Sequence, residues 1–157
     1  LHQTGADDHA RVIAAYEERL GRDSVSEDIA EWGGKGRNAS VVPFVNEMEA
    51  VYSGADLVLC RAGAMTISEL TYCGTPSILA PLPHARTDEQ RLNARGIAEA
   101  GAAVVIEQAD LTERAVRDTV IPLLHDGERL GAMERACATV ALPNATEDLV
   151  AAIVAHL

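Results

Sequence analysis

The stretch from Ala55 to Pro76 contains residues that could build an anion site at the start of a helix. Its short apolar run, Leu57 to Cys60, is typical of a strand buried on both faces of a parallel sheet. After a break at residues 61–63, apolar residues resume with helical spacing, so residues 64–66 carry the unpaired backbone N–H groups of a helix start. We expect these groups to point out of the carboxyl end of the sheet, where they can bind a phosphate.

Glu69 follows Thr66 by three residues and therefore shares its helical face. A carboxylate can accept hydrogen bonds from two adjacent hydroxyls, which suits the diol of a ribose. The alternative is a solvated position on the helix surface, where glutamates are commonly found. The pattern favours a pocket for a sugar nucleotide or a dinucleotide.

Apolar runs and helical patterns alternate along the rest of the chain. We expect helices over residues 7–20, 46–52, 64–73, 88–100, 112–124, 127–140 and 146–156, and strands over 41–45, 57–60, 77–80 and 103–106. This order predicts an α/β fold, a doubly wound parallel sheet with helices on both faces. Ligands bind such sheets beyond the carboxyl ends of the strands, where the loops at 43–46, 61–66 and 81–90 meet.

Composition limits the classes of partner. The 157 residues include 48% hydrophobic but only 3% aromatic residues, which is typical of an aliphatic α/β core in one domain, 1–157. The polar, glycine-rich segment 21–40 predicts a flexible surface loop. A net charge of -11 argues against a nucleic-acid partner and means that local donors must hold any phosphate.

The three cysteines and five histidines show no metal-ligand spacing. Buried, reduced thiols are the preferred interpretation of Cys60, Cys73 and Cys137. The sequence contains no signal peptide and no apolar run of membrane-spanning length, so we expect an intracellular location.

Five motifs in this order resemble the C-terminal half of the bacterial MurG family: VVPFVNEM, CRAGAMTISEL, GTPSILAPLPHA, DEQRLNAR and GAAVVIEQADLT. Members transfer N-acetylglucosamine from UDP-N-acetylglucosamine (UDP-GlcNAc) to lipid I, which gives lipid II in peptidoglycan synthesis. The resemblance implies the C-terminal, Rossmann-like half of a two-domain GT-B fold, which holds the donor. It also implies an inverting transfer that needs no metal and no cofactor.

The resemblance assigns a role to each matching residue. It implies that Phe44 lies against the uracil, that the backbone of Val45 reads the base edge and that Met48 is nearby. The helix start would cradle the diphosphate, Glu69 would accept from the ribose hydroxyls, and residues after the next strand would address the sugar. The implied donor-binding set is Phe44, Val45, Met48, Gly63, Ala64, Met65, Thr66, Glu69, Glu89, Gln90 and Asn93, with Arg61 and His84 as possible additions.

The same resemblance implies a fragment that lacks the N-terminal acceptor domain, where the unidentified catalytic residues are expected. Such a piece could bind the donor but should not turn over alone. The full-length enzyme would act in the cytoplasm at the inner face of the cell membrane, as a peripheral membrane protein. The alternatives are a stand-alone UDP-sugar-binding subunit or a nucleotide-sensing domain without transferase activity.

Several residues keep a second interpretation on residue type alone. Gly63 could serve only tight strand–helix packing, Phe44 could be a core residue, and Arg61 could form a salt bridge. His84 could pack within its proline-rich loop or line the sugar pocket. Gln90 and Asn93 could be an ordinary exposed helix face.

Overall fold

In the computed structural model, which describes residues 1–32, 38–83 and 88–156, parallel strands alternate with helices along the chain. The strands are β1 (His2–Gln3), β2 (Val25–Ser26), β3 (Ala39–Val42), β4 (Val58–Cys60), β5 (Ser77–Leu79) and β6 (Ala103–Val105). The helices are α1 (His9–Leu20), α2 (Met48–Gly54), α3 (Ala64–Cys73), α4 (Glu89–Glu99), α5 (Glu113–Leu124), α6 (Gly127–Val140) and α7 (Ala145–Val154). The chain divides into two compact units, Leu1–Met48 and Glu49–Leu157.

The first unit holds a three-stranded parallel sheet in the order β1-β3-β2. In the central strand, Val41 and Val42 are almost completely buried. Segment 21–40, predicted to be a loop, contains β2 and short 3-10 turns at Arg22–Ser24 and Ile29–Glu31 in its described part. A two-residue strand has no alternation long enough to recognise, and Val25 and Ser26 become a strand only by pairing with β3.

The second unit holds another parallel sheet in the order β4-β5-β6. Its middle strand, β5, is buried at every residue because it has a neighbour on each side. Ile78 on this strand centres a core with Ile106, Leu123 and Met133, and partly buried aliphatic residues pack around it. As predicted, no aromatic side chain belongs to this cluster among the described residues.

The α/β class, with parallel strands and helices on both sides, is confirmed. The strands form two three-stranded ladders, one in each unit. Each predicted helix has a counterpart: α3 and α6 have the predicted bounds, and the ends of the others differ by one or two residues. Ends differ because capping and tertiary contacts, and not periodicity, decide where a helix stops.

One stretch, Gly127–Val154, is long and apolar enough to cross a membrane by length and composition. It comprises α6 and α7, and Ala141 between them has an extended backbone with φ -64° and ψ 144°. Pro143 follows in the same connection, so the stretch is two helices and not one continuous span.

Candidate functional site

The start of α3 lies directly after strand β4, as the sequence predicts. Gly63 precedes the helix in an extended conformation, and its carbonyl accepts the first helical hydrogen bond from the Ile67 N–H at 3.0 Å. The N–H groups of residues 64–66 therefore precede the first helical hydrogen bond, and Met65 is 77% exposed. Because a helix N-terminus carries partial positive charge, this surface can bind a phosphate.

Glu69 lies exposed one turn after this start, as its spacing predicts. It also lines a cavity of about 530 Å³, bounded on one side by α3 from Ile67 to Cys73 and on the other by residues 140–146. The cavity lining does not include residues 64–66. The predicted anion site is thus on the open surface at the helix start, whereas Glu69 lines the cavity.

Three polar side chains join the loops at the carboxyl end of the β4-β5-β6 sheet. Asn93 Nδ2 donates to the Ala62 carbonyl at 3.3 Å, which ties α4 to the loop before α3. Gln90 Oε1 accepts from the Leu82 N–H at 2.9 Å, which ties α4 to the loop after β5.

Arg61 joins the same two loops directly. Its Nη1 donates to the Ala80 carbonyl at 3.1 Å and lies 3.5 Å from the Pro81 carbonyl oxygen. Among the described residues, the hydrogen-bond partners of Arg61 are these backbone carbonyls. We call Arg61, Gln90 and Asn93 the loop clasp, and its effect is to hold two loops and a helix in one arrangement.

The start of α4 carries the remaining predicted residues of this unit. Glu89 occupies the first turn and is exposed, and Asp88 before it has a left-handed backbone with φ 52°. Arg91 bridges the Asp88 and Glu107 carboxylates at 3.4 and 3.1 Å. His84 lies outside the described residues.

Phe44, Val45 and Met48 belong to the first unit, whereas every other described candidate belongs to the second. Phe44 is 67% exposed and is therefore not a core residue of its unit, which leaves its ring available to stack on a base. Val45 is buried, and its N–H donates to Gln3 Oε1 at 3.0 Å. The Val45 N–H therefore already has a hydrogen-bond partner in the described part of the chain. Met48 is half-buried.

Two residues beneath the site have no counterpart among the sequence predictions. The hydroxyl of Thr75, which follows α3, donates to the Tyr52 carbonyl at 3.0 Å, and both residues are buried. The sequence marks Tyr52 only by composition, because tyrosines are rare in a chain with 3% aromatic residues.

The three cysteines are free thiols, but of the three predicted to be buried only Cys137 is, whereas Cys60 and Cys73 are half-buried. Cys137 is buried, with its Sγ 3.6 Å from the Thr75 carbonyl oxygen, and burial raises the pKa of its thiol. Cys60 ends strand β4, and burial raises its pKa to about 11. Cys60 is therefore a poor nucleophile at neutral pH. Among the described residues, no group of three or more histidine, cysteine or carboxylate side chains could hold a metal ion.

The chain is similar to a known protein family and to curated proteins. Residues 2–149 match the model of the glycosyltransferase family 28 C-terminal domain. The chain is 42% identical to a UDP-N-acetylglucosamine–N-acetylmuramyl-(pentapeptide) pyrophosphoryl-undecaprenol N-acetylglucosamine transferase of Chlorobaculum parvum, over 99% of this chain and 38% of the relative. It is 39% identical to the enzyme of the same name from Myxococcus xanthus, over 95% of this chain and 35% of the relative.

Two solved structures are also similar. Acinetobacter baumannii MurG superimposes with a TM-score of 0.79 at 31% identity, over 97% of this chain and 41% of that one. The glycosyltransferase VinC in complex with dTDP gives a TM-score of 0.58 at 23% identity, over 91% of this chain and 36% of that one, and shares the fold alone. The chain spans 35–38% of the length of the two curated relatives described above.

Proposed function

This chain belongs to the glycosyltransferase family 28 C-terminal domain family, and from that membership we propose that it is the donor-binding part of an N-acetylglucosaminyltransferase. The donor is UDP-GlcNAc, and the reaction of the whole protein is the inverting transfer of its sugar to lipid I, to give lipid II for peptidoglycan. The observation that carries the proposal is the exposed start of α3 with Glu69 one turn further on. These groups match the two ends of a nucleoside diphosphate, its phosphates and its ribose diol.

In this proposal the N–H groups of residues 64–66 bind the diphosphate. Negative charge grows on the departing UDP during transfer, and fixed N–H donors stabilise it without having to reorganise. The loop clasp keeps the loop before α3 in place, so these donors stay directed at one point. This contribution needs no ionisable catalytic group on this chain.

The nucleoside and the sugar need separate recognition. Glu69 accepts from the ribose hydroxyls, and the exposed ring of Phe44 stacks on the uracil while the Val45 carbonyl accepts from the base edge. Gln90 already uses its carbonyl oxygen on Leu82, so its amide NH₂ remains to donate to a sugar hydroxyl. Glu89 and Asn93 accompany it on the first turns of α4.

The acceptor belongs to the part of the longer relatives that this chain does not span. We infer that lipid I is positioned by that part, and that the whole protein works in the cytoplasm as a peripheral protein at the inner face of the cell membrane. The 157-residue chain is expected to bind donor without turnover, because positioning of the acceptor supplies a large share of the rate.

Calorimetric titration with UDP-GlcNAc tests the proposal. The chain should bind UDP-GlcNAc saturably, and Glu69→Ala should weaken binding roughly ten- to hundredfold, since hydrogen bonds to a charged group are worth about 1.5–3 kcal/mol. Glu99→Ala removes an exposed glutamate from the end of α4 and is the matched control, with binding expected to be unchanged.

Titrations with UDP-glucose and UMP complete the test. If a folded sample binds no UDP-GlcNAc, the donor-binding proposal is wrong. Equal affinity for UDP-GlcNAc, UDP-glucose and UMP would instead favour the nucleotide-sensing alternative, because a donor site must distinguish the sugar.

A further inference from the structure

Backbone hydrogen bonds hold the segment that leads to Phe44 against the end of β1. The Thr4 N–H donates to the Val42 carbonyl at 3.0 Å. The Gly5 N–H donates to the Pro43 carbonyl, also at 3.0 Å, and Gly5 has a left-handed backbone with φ 76°. This conformation ends the extended run that begins with β1, so the residues after Phe44 need another acceptor.

The Val45 N–H finds its acceptor on a side chain. Gln3 Oε1 accepts from it at 3.0 Å, across 42 positions of the chain. Val45 is only 3% exposed, and a buried N–H needs an acceptor, so the oxygen of the Gln3 amide must face it. This contact fixes which way round the amide lies.

The other half of the Gln3 amide, its NH₂ group, is left for a ligand. Gln3 is exposed, and among the described residues none is hydrogen-bonded to its amide nitrogen. The peptide nitrogen that Gln3 contacts is bonded to the carbonyl carbon of Phe44, whose ring is 67% exposed. A base stacked on this ring therefore meets a fixed NH₂ donor beside its edge.

We propose that Gln3 is a specificity-determining residue for the base of the donor, and that its NH₂ donates to O4 of uracil. This inference rests on the proposed function, in which the Val45 carbonyl accepts from the base edge, and adds the donor that this edge still needs. Uracil presents the O4 acceptor beside an N3–H donor, whereas cytosine presents an amino group beside a bare ring nitrogen. A donor and an acceptor side by side match uracil and oppose cytosine.

Gln3→Glu removes the NH₂ while the contact that holds Val45 remains. One carboxylate oxygen can still accept from the Val45 N–H, but the other faces uracil O4 as a second acceptor. We expect the ratio of UDP to CDP affinity to fall at least about tenfold, because the hydrogen bond to O4 is lost and two acceptors meet. Calorimetric titration with UDP and CDP measures this ratio, in which repulsion of the diphosphate by the added charge cancels.

Arg19→Gln is the matched control, because it changes the net charge by the same amount at an exposed residue in the last turn of α1. Its ratio of UDP to CDP affinity should equal that of the wild type. Thermal unfolding of both variants shows whether the fold is retained.

A second measurement uses the wild type and needs no substitution. In 4-thio-UDP a sulfur atom, which is a weaker acceptor, replaces O4. We expect this ligand to bind roughly three- to tenfold more weakly than UDP, as for the loss of one neutral hydrogen bond. If Gln3→Glu does not fold, this titration decides alone.

Three results would overturn the inference and leave the proposed function standing. The first is an unchanged ratio of UDP to CDP affinity in a folded Gln3→Glu variant. The second is an equal fall of this ratio in Arg19→Gln, which would mean that charge alone changes it. The third is equal affinity of the wild type for UDP and 4-thio-UDP. If the wild type binds neither UDP nor UDP-GlcNAc, the proposed function fails as well.

Discussion

The polar side chains around the start of α3 hold backbone groups before any ligand is bound. Asn93 holds Ala62, Gln90 holds Leu82, and Arg61 holds Ala80. Such bonds fix the rotamers of the clasp residues, so little conformational freedom remains to be lost on binding. At the residue scale, the structure therefore predicts which atom of each side chain is left for a ligand.

For Gln90, the atom left for a ligand is the amide NH₂, and this can be tested. Gln90→Glu retains an oxygen that can accept from the Leu82 N–H but removes the NH₂ that would donate to the sugar. We expect the ratio of UDP-GlcNAc to UDP affinity to fall roughly three- to tenfold, as for the loss of one hydrogen bond. Titration with both ligands measures this ratio.

Gln90→Glu also adds a negative charge, which repels the diphosphate and weakens the binding of both UDP-GlcNAc and UDP. This shared effect cancels in the ratio of the two affinities. Arg95→Gln, a change of charge by the same amount on the exposed part of α4, is the control and should leave the ratio unchanged. An unchanged ratio in Gln90→Glu would show that Gln90 acts only as a tether.

At the scale of one element, α3 has glycines at both ends, and the two differ in what requires them. Gly74 stops the helix in a left-handed conformation with φ 73°, and the next N–H, of Thr75, returns to the Leu70 carbonyl at 2.9 Å. Gly63 has φ -67°, which any residue adopts, and a Cβ there would lie 3.7 Å from Thr66 Oγ1, an ordinary contact. The fold therefore requires a glycine at position 74, whereas at position 63 only a closely approaching ligand would require one.

Alanine at the two positions should have opposite effects. Gly63→Ala is expected to leave the free energy of unfolding within about 0.5 kcal/mol of the wild type. It should weaken the binding of UDP, because a methyl group obstructs the approach of phosphate to the backbone. Gly74→Ala should lower that free energy by about 1 kcal/mol and leave UDP affinity unchanged. Urea unfolding and UDP titration measure both quantities, and full UDP affinity in Gly63→Ala would rule out close phosphate contact there.

At the scale of the whole molecule, a net charge of -11 gives the chain a field that repels anions. Binding of a diphosphate must then depend on short-range donors such as the N–H groups of α3, since the field does not attract the ligand. The same molecule holds two weakly acidic groups, the buried Tyr52 and the half-buried Cys60, in their neutral forms. Their titration links stability to pH.

Stability should fall above pH 9. Burial raises the pKa of Cys60 to about 11 and that of Tyr52 to about 12, above their ordinary values of 9.0 and 10.0. The unfolded chain therefore loses these protons first, and the stabilisation is complete below pH 9 and is lost as the pH rises toward 12. We expect a loss of about 3–4 kcal/mol by about pH 11, measured by urea unfolding.

Two tyrosine variants test this pH dependence. Tyr52→Phe removes one of the two groups, so its stability should fall less steeply between pH 10 and pH 12. Tyr72→Phe, at an exposed position, should follow the wild type. Parallel curves for all three proteins would mean that Tyr52 does not control stability in this range.

Four features follow from the amino-acid sequence alone: the alternation of strands and helices, the start of α3 after β4, the placement of Glu69 one turn further on and the stop at Gly74. Each depends on residues within a few positions of one another, through periodicity, helix spacing and the backbone freedom of glycine. Neighbouring residues suffice for such features because they arise from local geometry.

Which atoms of the site already have partners depends on contacts between distant parts of the chain. The Val45 N–H is occupied by Gln3 Oε1, Asn93 is tied to Ala62, and the Thr75 hydroxyl donates to the Tyr52 carbonyl. Val25 and Ser26 form a strand only because β3 lies beside them. These contacts join residues far apart in the chain, and a side chain capable of several hydrogen bonds acquires its particular partner only when folding brings that partner within reach.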